Sequence, residues 1–279
     1  MRYAMKFAYL GRNFRGYQRQ PGIRTVEGEI INVLSSQGII KDTETSNFQS
    51  ASRTDSGVSA IGNVVALDTD LDQKNILPAL NSQFRDIWFY GIAPVNKDFN
   101  PRHAQGRIYR YFLPDREEID PELLQDAALL FLGEHDFKNF CKKDEEKGTV
   151  RTIESVVVRP RKGFFTLEFR ASSFLWNMVR RMVSAVEAAA LGRSTLDEVK
   201  EVLGLKSQKG FGIAPPQNLV LVDVVYKDVG FDKDERAVAL ALERLEEVML
   251  DLNVQKKVLD EIQAELEFDP SAFGRRVLG

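Results

Sequence analysis

Asp55 is the carboxylate whose surroundings first suggest chemistry, because it lies in the polar segment SRTDSG at residues 52–57. Clusters of Ser, Thr, Asp and Gly are typical of loops, and residues 63–67 are apolar and partly β-branched. We therefore expect Asp55 on a tight connection that leads into a strand. Such a loop can hold a carboxylate rigidly at a surface cleft.

Taken from the residues alone, Asp55 has three interpretations. It can form an Asx-turn or a helix cap, the commonest role of a loop aspartate followed by Ser-Gly. It can act as nucleophile or base in phosphoryl transfer or hydrolysis, with magnesium held by Asp68, Asp70 and Asp72. It can also be a lone carboxylate that attacks a non-phosphate substrate, kept ionised and oriented by Arg53 and a second arginine. Spacing in the sequence does not choose among them.

Composition predicts a soluble protein with a substantial core. The chain has 279 residues, 43% hydrophobic and 28% charged, enough for one large or two small domains. It contains no run of eighteen apolar residues, and its N-terminal segment is too charged for a secretory signal, so we expect a cytoplasmic location. A single cysteine, Cys141, excludes an internal disulfide, and with only two histidines beside it no tetrahedral zinc site is expected.

The net charge of −3 is unevenly distributed. Residues 230–279 hold 7 Lys+Arg and 12 Asp+Glu, which leaves 31 and 29, or +2, for residues 1–229. Basic clusters usually form solvated surface, so charge alone does not establish phosphate binding. One such cluster lies in an N-terminal loop and comprises Arg12, Arg15, Arg19 and Arg24.

The predicted elements occur in the same order twice. Residues 1–105 read as β-α-β-β-α-β, and residues 106–228 repeat this order with one added helix. Each half resembles a ferredoxin-like unit, so we predict an α+β fold in which two halves join their sheets around a cleft. The predicted strands are 2–10, 48–52, 63–69, 87–95, 107–113, 152–159, 164–170 and 219–226. The predicted helices are 26–37, 73–84, 121–132, 174–191 and 195–203.

Residues 229–279 differ in composition from the rest of the chain. They are rich in Ala, Leu, Glu and Lys, with apolar residues at helical spacing, and predict one or two amphipathic helices. We expect this extension to cover apolar surface or to contact a partner helix.

Asp55 also belongs to a longer motif. The segment SRTDSGVSAIGNVVAL at 52–67 resembles the signature of the tRNA pseudouridine synthase A family, Arg-Thr-Asp-x-Gly-Val followed by Gly-x-Val-Val. The resemblance covers residues 1–228. Ser59, where many members have His, and the differing residues 99–103 indicate an archaeal branch. Further family motifs follow in order: YLGRNFRGYQRQPGIRTVEGEI (9–30), RIYRYFL (107–113), GEHDFKNF (133–140), SSFLWNMVRRMV (172–183) and APPQNLVLVDVVY (214–226).

The resemblance implies a pseudouridine synthase fold with a mixed, mainly antiparallel sheet and a central RNA-binding cleft. It implies conversion of uridine to pseudouridine at positions 38 to 40 of the tRNA anticodon arm, without metal or cofactor. The partner would be tRNA, the enzyme would be a homodimer, and neither a membrane nor a protein cofactor would be involved.

The resemblance also assigns roles to individual residues. Asp55 corresponds to the family's catalytic aspartate, which would attack C6 of the base or C1′ of the ribose. Arg180 corresponds to the arginine that pairs with it, and Tyr109 to a base-stacking tyrosine. Arg53 resembles the arginine that fills the space left by the flipped base, and the four loop arginines would contact phosphates.

Other interpretations of these residues remain open at the level of sequence. Without the resemblance, Arg180 reads as part of a solvated helix face and Tyr109 as a core aromatic residue. A catalytically silent tRNA-binding protein of the same fold is one alternative function, and a metal-dependent phosphohydrolase is another.

Overall fold

All strands of the described chain belong to one ten-stranded sheet. The computed structural model describes residues 1–116, 118–142 and 148–267. The strands are β1 (Arg2–Tyr9), β2 (Gln49–Ser50), β3 (Ser59–Asp68), β4 (Ile87–Pro94), β5 (Gly106–Pro114), β6 (Gly133–Asp136), β7 (Val150–Arg161), β8 (Phe164–Ala171), β9 (Leu219–Val225) and β10 (Asp232–Lys233). The helices are α1 (Val26–Ser36), α2 (Gln73–Asn81), α3 (Pro121–Leu129), α4 (Met178–Ala190), α5 (Leu196–Leu203) and α6 (Glu235–Glu267).

Strand order confirms the predicted fold class. In the first half β4, β1 and β3 are neighbours, and β2 pairs with β3. In the second half the order is β9, β5, β8, β7. With the short edge strand β6 left out, each half therefore places its fourth, first, third and second strands side by side in antiparallel pairs, which is the ferredoxin-like arrangement. The halves meet where β3 pairs in parallel with β9, Ser59 opposite Val220 and Ala60 opposite Leu221.

Local capping signals explain where several helices begin. The Thr25 hydroxyl accepts from the Gly28 N–H at the start of α1, and Asp120 caps α3, whose first residue is Pro121. Thr195 and Glu198 form a capping box at α5. In α4 the apolar stripe is buried, as its spacing predicts, and it comprises Met178, Val179, Met182, Val183 and Val186.

Two predicted boundaries were wrong at places that matter for the cleft. Helix α4 begins at Met178 rather than at residue 174, because Asn177 adopts a left-handed conformation with φ 63°. Strand β3 begins at Ser59 rather than at residue 63, and Gly62 lies inside it. A Cβ atom at Gly62 would lie 2.7 Å from the Val222 carbonyl oxygen, so glycine permits the close approach of β9. β6 and β10 were not predicted.

The extension forms a single helix, α6, which begins against the body and then runs free of it. Ala237 is buried, and its carbonyl accepts from Asn81 Nδ2 at 3.1 Å on α2. From Met249 onward the apolar side chains of the helix are exposed. Residues 268–279, which belong to the predicted extension, lie outside the described residues. Within the described ranges, no helix combines the length and hydropathy needed to cross a membrane.

Candidate active site

A cavity of about 1000 Å³ opens beside the junction of β3 and β9. Both halves line it: the first through the loops at 15–20 and 53–58, the second through Tyr109, the 174–180 segment and residues 216–219. The parallel pairing of β3 and β9 brings two of these segments together. Ser59 of β3 directly follows the 53–58 loop, and it lies opposite Val220 of β9, which directly follows the 216–219 segment. The cavity is therefore a product of the joined sheet.

Asp55 lies at the head of a tight turn on the cavity wall. The Val58 N–H donates to the Asp55 carbonyl at 3.2 Å, and Gly57 completes the turn with φ +85°, a conformation that favours glycine. The preceding Thr54 is held on both sides: its carbonyl accepts from the Tyr17 N–H at 3.1 Å, and its hydroxyl lies 2.8 Å from Tyr9 Oη. This loop therefore presents the Asp55 carboxylate from a fixed backbone.

Arg180 of α4 reaches across the cavity to Asp55. Its Nη1 lies 3.0 Å from Asp55 Oδ2, and the same atom donates to Asn177 Oδ1 at 3.2 Å. Its Nε donates to the Ala214 carbonyl at 2.7 Å. The two side chains are 12% and 23% exposed, for Arg180 and Asp55 respectively, so neither belongs to a freely solvated surface. Three contacts thus fix the guanidinium that orients the carboxylate.

The hydrogen bond of the Asp55 carboxylate bears on the Asx-turn interpretation. Within the described part of the chain, this carboxylate accepts from Arg180 and not from a backbone N–H of its own loop. The turn is closed by the backbone of Asp55 instead. The side chain therefore remains directed at the cavity rather than at the loop.

Tyr109 forms part of the cavity wall next to this ion pair. Its ring is buried and packs in a T-shaped arrangement with Phe174, at a centroid distance of 5.1 Å and an interplanar angle of 86°. Burial raises the pKa of Tyr109 above its ordinary value, and the Asp55 carboxylate raises it further. The phenol is therefore neutral at physiological pH and offers an apolar ring to the cavity. A register shift against β9 between Ile108 and Tyr109 adjusts its position on β5.

The predicted basic residues occupy different places. Arg53 and Arg15 line the main cavity, whereas Arg19 and Arg24 line a second cavity at the start of α1. Arg12 is exposed on the short 3₁₀ turn Gly11–Asn13. Arg24 is already engaged: its guanidinium pairs with Asp86 Oδ2 at 3.2 Å and lies 4.7 Å from the Phe14 ring. Its charge is thus partly neutralised within the protein.

The three carboxylates considered for magnesium serve the fold or face solvent. Asp68 accepts from the buried Arg2 at 3.2 Å, Asp72 caps α2, and Asp70 is exposed. No group of three or more His, Cys, Asp or Glu side chains suited to a metal ion occurs among residues 1–116, 118–142 and 148–267. No observation of these side chains therefore favours a phosphohydrolase.

Sequence reasoning missed the loop at residues 172–177, which was assigned in part to a helix. This loop contributes Phe174, Trp176 and Asn177 to the cavity. The asparagine was the available signal, since Asn is a strong N-cap residue and tolerates the left-handed conformation found here.

Ser59 is the residue that departs from the family motif. Its hydroxyl accepts the Gly11 N–H at 3.0 Å and so ties the N-terminal loop that carries Arg12 and Arg15 to β3.

A family model and several similar proteins carry the same family name. A family model described as tRNA pseudouridine synthase matches residues 127–227. The tRNA pseudouridine synthase A of Thermococcus sibiricus is 45% identical over 239 residues, which cover 85% of this chain and 90% of that protein. The protein of the same name from Pyrococcus abyssi is 43% identical over 251 residues, covering 88% and 93%. That from Methanococcoides burtonii is 38% identical over 266 residues, covering 94% and 96%.

The solved structures that match are more distant. The archaeal box H/ACA sRNP Nop10-Cbf5 complex aligns at 12% identity with a TM-score of 0.36, over 80% of this chain and 49% of that chain. A similarity of this size carries no functional argument.

Proposed function

Because the chain belongs to the tRNA pseudouridine synthase A family, we propose that it isomerises uridine in the anticodon arm of tRNA with Asp55 as nucleophile. The family membership makes the chain an isomerase that forms pseudouridine in tRNA. The observation that supports Asp55 as nucleophile is the Asp55–Arg180 ion pair at 3.0 Å, at the wall of a cavity large enough for a nucleotide. The anticodon arm is what the family resemblance implies.

The reaction is an isomerisation, so its atoms balance without a co-reactant. The N1–C1′ bond of uridine breaks, the uracil turns, and a C5–C1′ bond forms; the proton lost from C5 is matched by the proton gained at N1. Asp55 would form a transient covalent bond to C6 of the base or to C1′ of the ribose and leave in a later step. Both routes need an ionised, oriented carboxylate, which Arg180 supports.

The other cavity residues suit a base taken out of the RNA stack. A flipped uracil needs a flat apolar partner, and the neutral ring of Tyr109 provides one beside Asp55. Stacking of a base on an aromatic ring is worth about 1–3 kcal/mol, comparable to the few kcal/mol that extrusion costs. Arg53, exposed at the cavity, would occupy the gap left in the RNA.

Nucleoside analysis of an unmodified tRNA transcript tests this proposal. We expect pseudouridine to appear in the anticodon arm, and to appear equally with EDTA present, because no step of the proposed reaction uses a metal. RNA binding without product would favour the silent tRNA-binding alternative. Phosphate release that stops with EDTA and returns with magnesium would favour the phosphohydrolase. Either result contradicts the proposal.

Affinity for tRNA should fall steeply with salt despite the acidic composition. Each phosphate neutralised contributes about 0.7 to 0.9 to the log–log slope. Arg15→Gln should therefore lower the slope by about one, whereas Arg24→Gln should lower it less, because Asp86 already pairs with Arg24. Filter binding across a salt series measures both slopes. A flat salt dependence in the intact protein would remove the case for phosphate contacts.

Three statements drawn from the sequence remain predictions. These are the homodimer, the cytoplasmic location, and the division into residues 1–105, 106–228 and 229–279. Light scattering coupled to size exclusion would report twice the mass of one chain if the dimer forms.

A further inference from the structure

Trp176 is an exposed aromatic side chain in a cavity that otherwise buries its aromatic residues. It is 53% exposed, whereas Tyr109 is buried and Phe174 and Leu175 pack partly against the core. An aromatic ring that stays accessible in a cleft lined by cations is the kind of platform on which unpaired bases stack. Trp176 lines the same cavity as the Asp55–Arg180 pair.

The backbone around Trp176 holds the ring in the open. The Trp176 carbonyl accepts the Lys142 N–H at 2.9 Å, and the Met178 N–H donates to the Leu175 carbonyl at 3.1 Å. Asn177 follows in the left-handed conformation and bonds Arg180 through its side chain. The loop that exposes the indole is therefore the same loop that supports the arginine of the ion pair.

A cation accompanies the exposed ring. The Lys142 ammonium lies 3.9 Å from the Trp176 ring centroid, a cation–π contact. More than half of the Trp176 residue stays accessible beside this lysine. An accessible aromatic plane beside a positive charge matches the two parts of a nucleotide, since bases stack on aromatic rings and phosphates bind cations.

We propose that Trp176 and Lys142 form a subsite for one unpaired nucleotide next to the target uridine, the indole stacking on its base and the ammonium meeting its phosphate. This subsite rests on the proposed function, because it presumes an RNA substrate. Stacking tolerates any base, so the subsite would select for single-stranded RNA beside the target rather than for a sequence. A base-paired strand would not present its base to the ring.

Intrinsic fluorescence isolates this subsite, because the chain has two tryptophans. Trp88 is only 9% exposed on β4 and does not line the cavity. In an Asp55→Asn background, which we expect to prevent turnover, Trp88→Phe leaves Trp176 as the only tryptophan. A hairpin with the sequence of an anticodon arm should quench its emission on binding. The matched variant Trp176→Phe keeps Trp88, whose emission should not change.

Affinity measurements give a second readout. Trp176→Ala should weaken binding of the hairpin by about 5- to 150-fold, the loss of one stacked base, and Trp176→Phe should restore most of it. Binding of a fully paired duplex of equal length should not change. Lys142→Gln should lower the salt slope for the hairpin by about one.

The outcomes separate this subsite from the proposed function. If labelled hairpin binds and is converted to pseudouridine by wild type, but Trp176 emission stays unquenched, the subsite is wrong and the function stands. If Trp176→Ala weakens duplex and hairpin equally, the ring has only a structural role and the subsite is likewise wrong. If neither the hairpin nor a full tRNA transcript binds or is converted, both fail.

Discussion

Asp55→Asn abolishes pseudouridine formation: we expect the rate to fall by on the order of 10⁴-fold or more, as loss of a catalytic nucleophile does. Asparagine keeps the shape of the side chain and an oxygen that can accept from Arg180 Nη1, so the cavity should stay intact. What it loses is the negative charge and the nucleophilicity needed to attack C6 or C1′. Single-turnover conversion of a tRNA transcript, followed by nucleoside analysis, measures the effect.

Asp70→Asn is the matched control, since Asp70 is an exposed aspartate in a loop outside the cavity lining. It should convert tRNA at the wild-type rate. The tRNA affinity of Asp55→Asn should be kept or increased, because a carboxylate near RNA phosphates is repulsive. A near-normal rate for Asp55→Asn would make Asp55 a turn residue and would overturn the proposed mechanism.

Arg180→Ala should lower the rate at saturating RNA by about 10²- to 10³-fold, the range typical of losing one oriented electrostatic contact. The substitution leaves a mostly buried carboxylate without its counter-charge and also removes the bond to Ala214. We therefore expect a stability loss of about 1–3 kcal/mol as well, measured by thermal unfolding. Arg180→Lys keeps the charge but not the forked geometry, so it should fall between Arg180→Ala and wild type.

A rescue experiment separates catalysis from folding. Added guanidinium ion should restore part of the activity of Arg180→Ala, since the cavity left by the side chain opens beside Asp55. Arg181→Ala is the control: Arg181 is the next residue of α4 and does not line the cavity, so its rate at saturating RNA should stay within about threefold of wild type. Loss of stability in Arg180→Ala with an unchanged rate would leave Arg180 a purely structural residue.

The sequence by itself determined the order of elements and the nature of the Asp55 loop. Both depend on local patterns: apolar spacing of two or of 3.6 residues, capping residues, and glycine at turns. The strand order confirmed the two ferredoxin-like halves, and the relatives confirmed the family that the motif at 52–67 resembles. The roles of Asp55, Tyr109 and Arg180 remain predictions that the variants above test.

Tertiary structure alone decided which side chains meet. Asp55 and Arg180 are 125 positions apart, and their contact exists because β3 pairs in parallel with β9, a register that no local pattern encodes. The same holds for Arg24, which reads as free in the sequence and pairs with Asp86, 62 positions away. Trp176 reads as part of a helix, yet the left-handed backbone of Asn177 delays α4 and leaves the indole in the cavity. Long-range pairing and loop conformation follow from packing of the whole chain. The family resemblance implies the Asp55–Arg180 pair, but the Arg24–Asp86 pair and the exposed Trp176 are revealed only by the folded molecule.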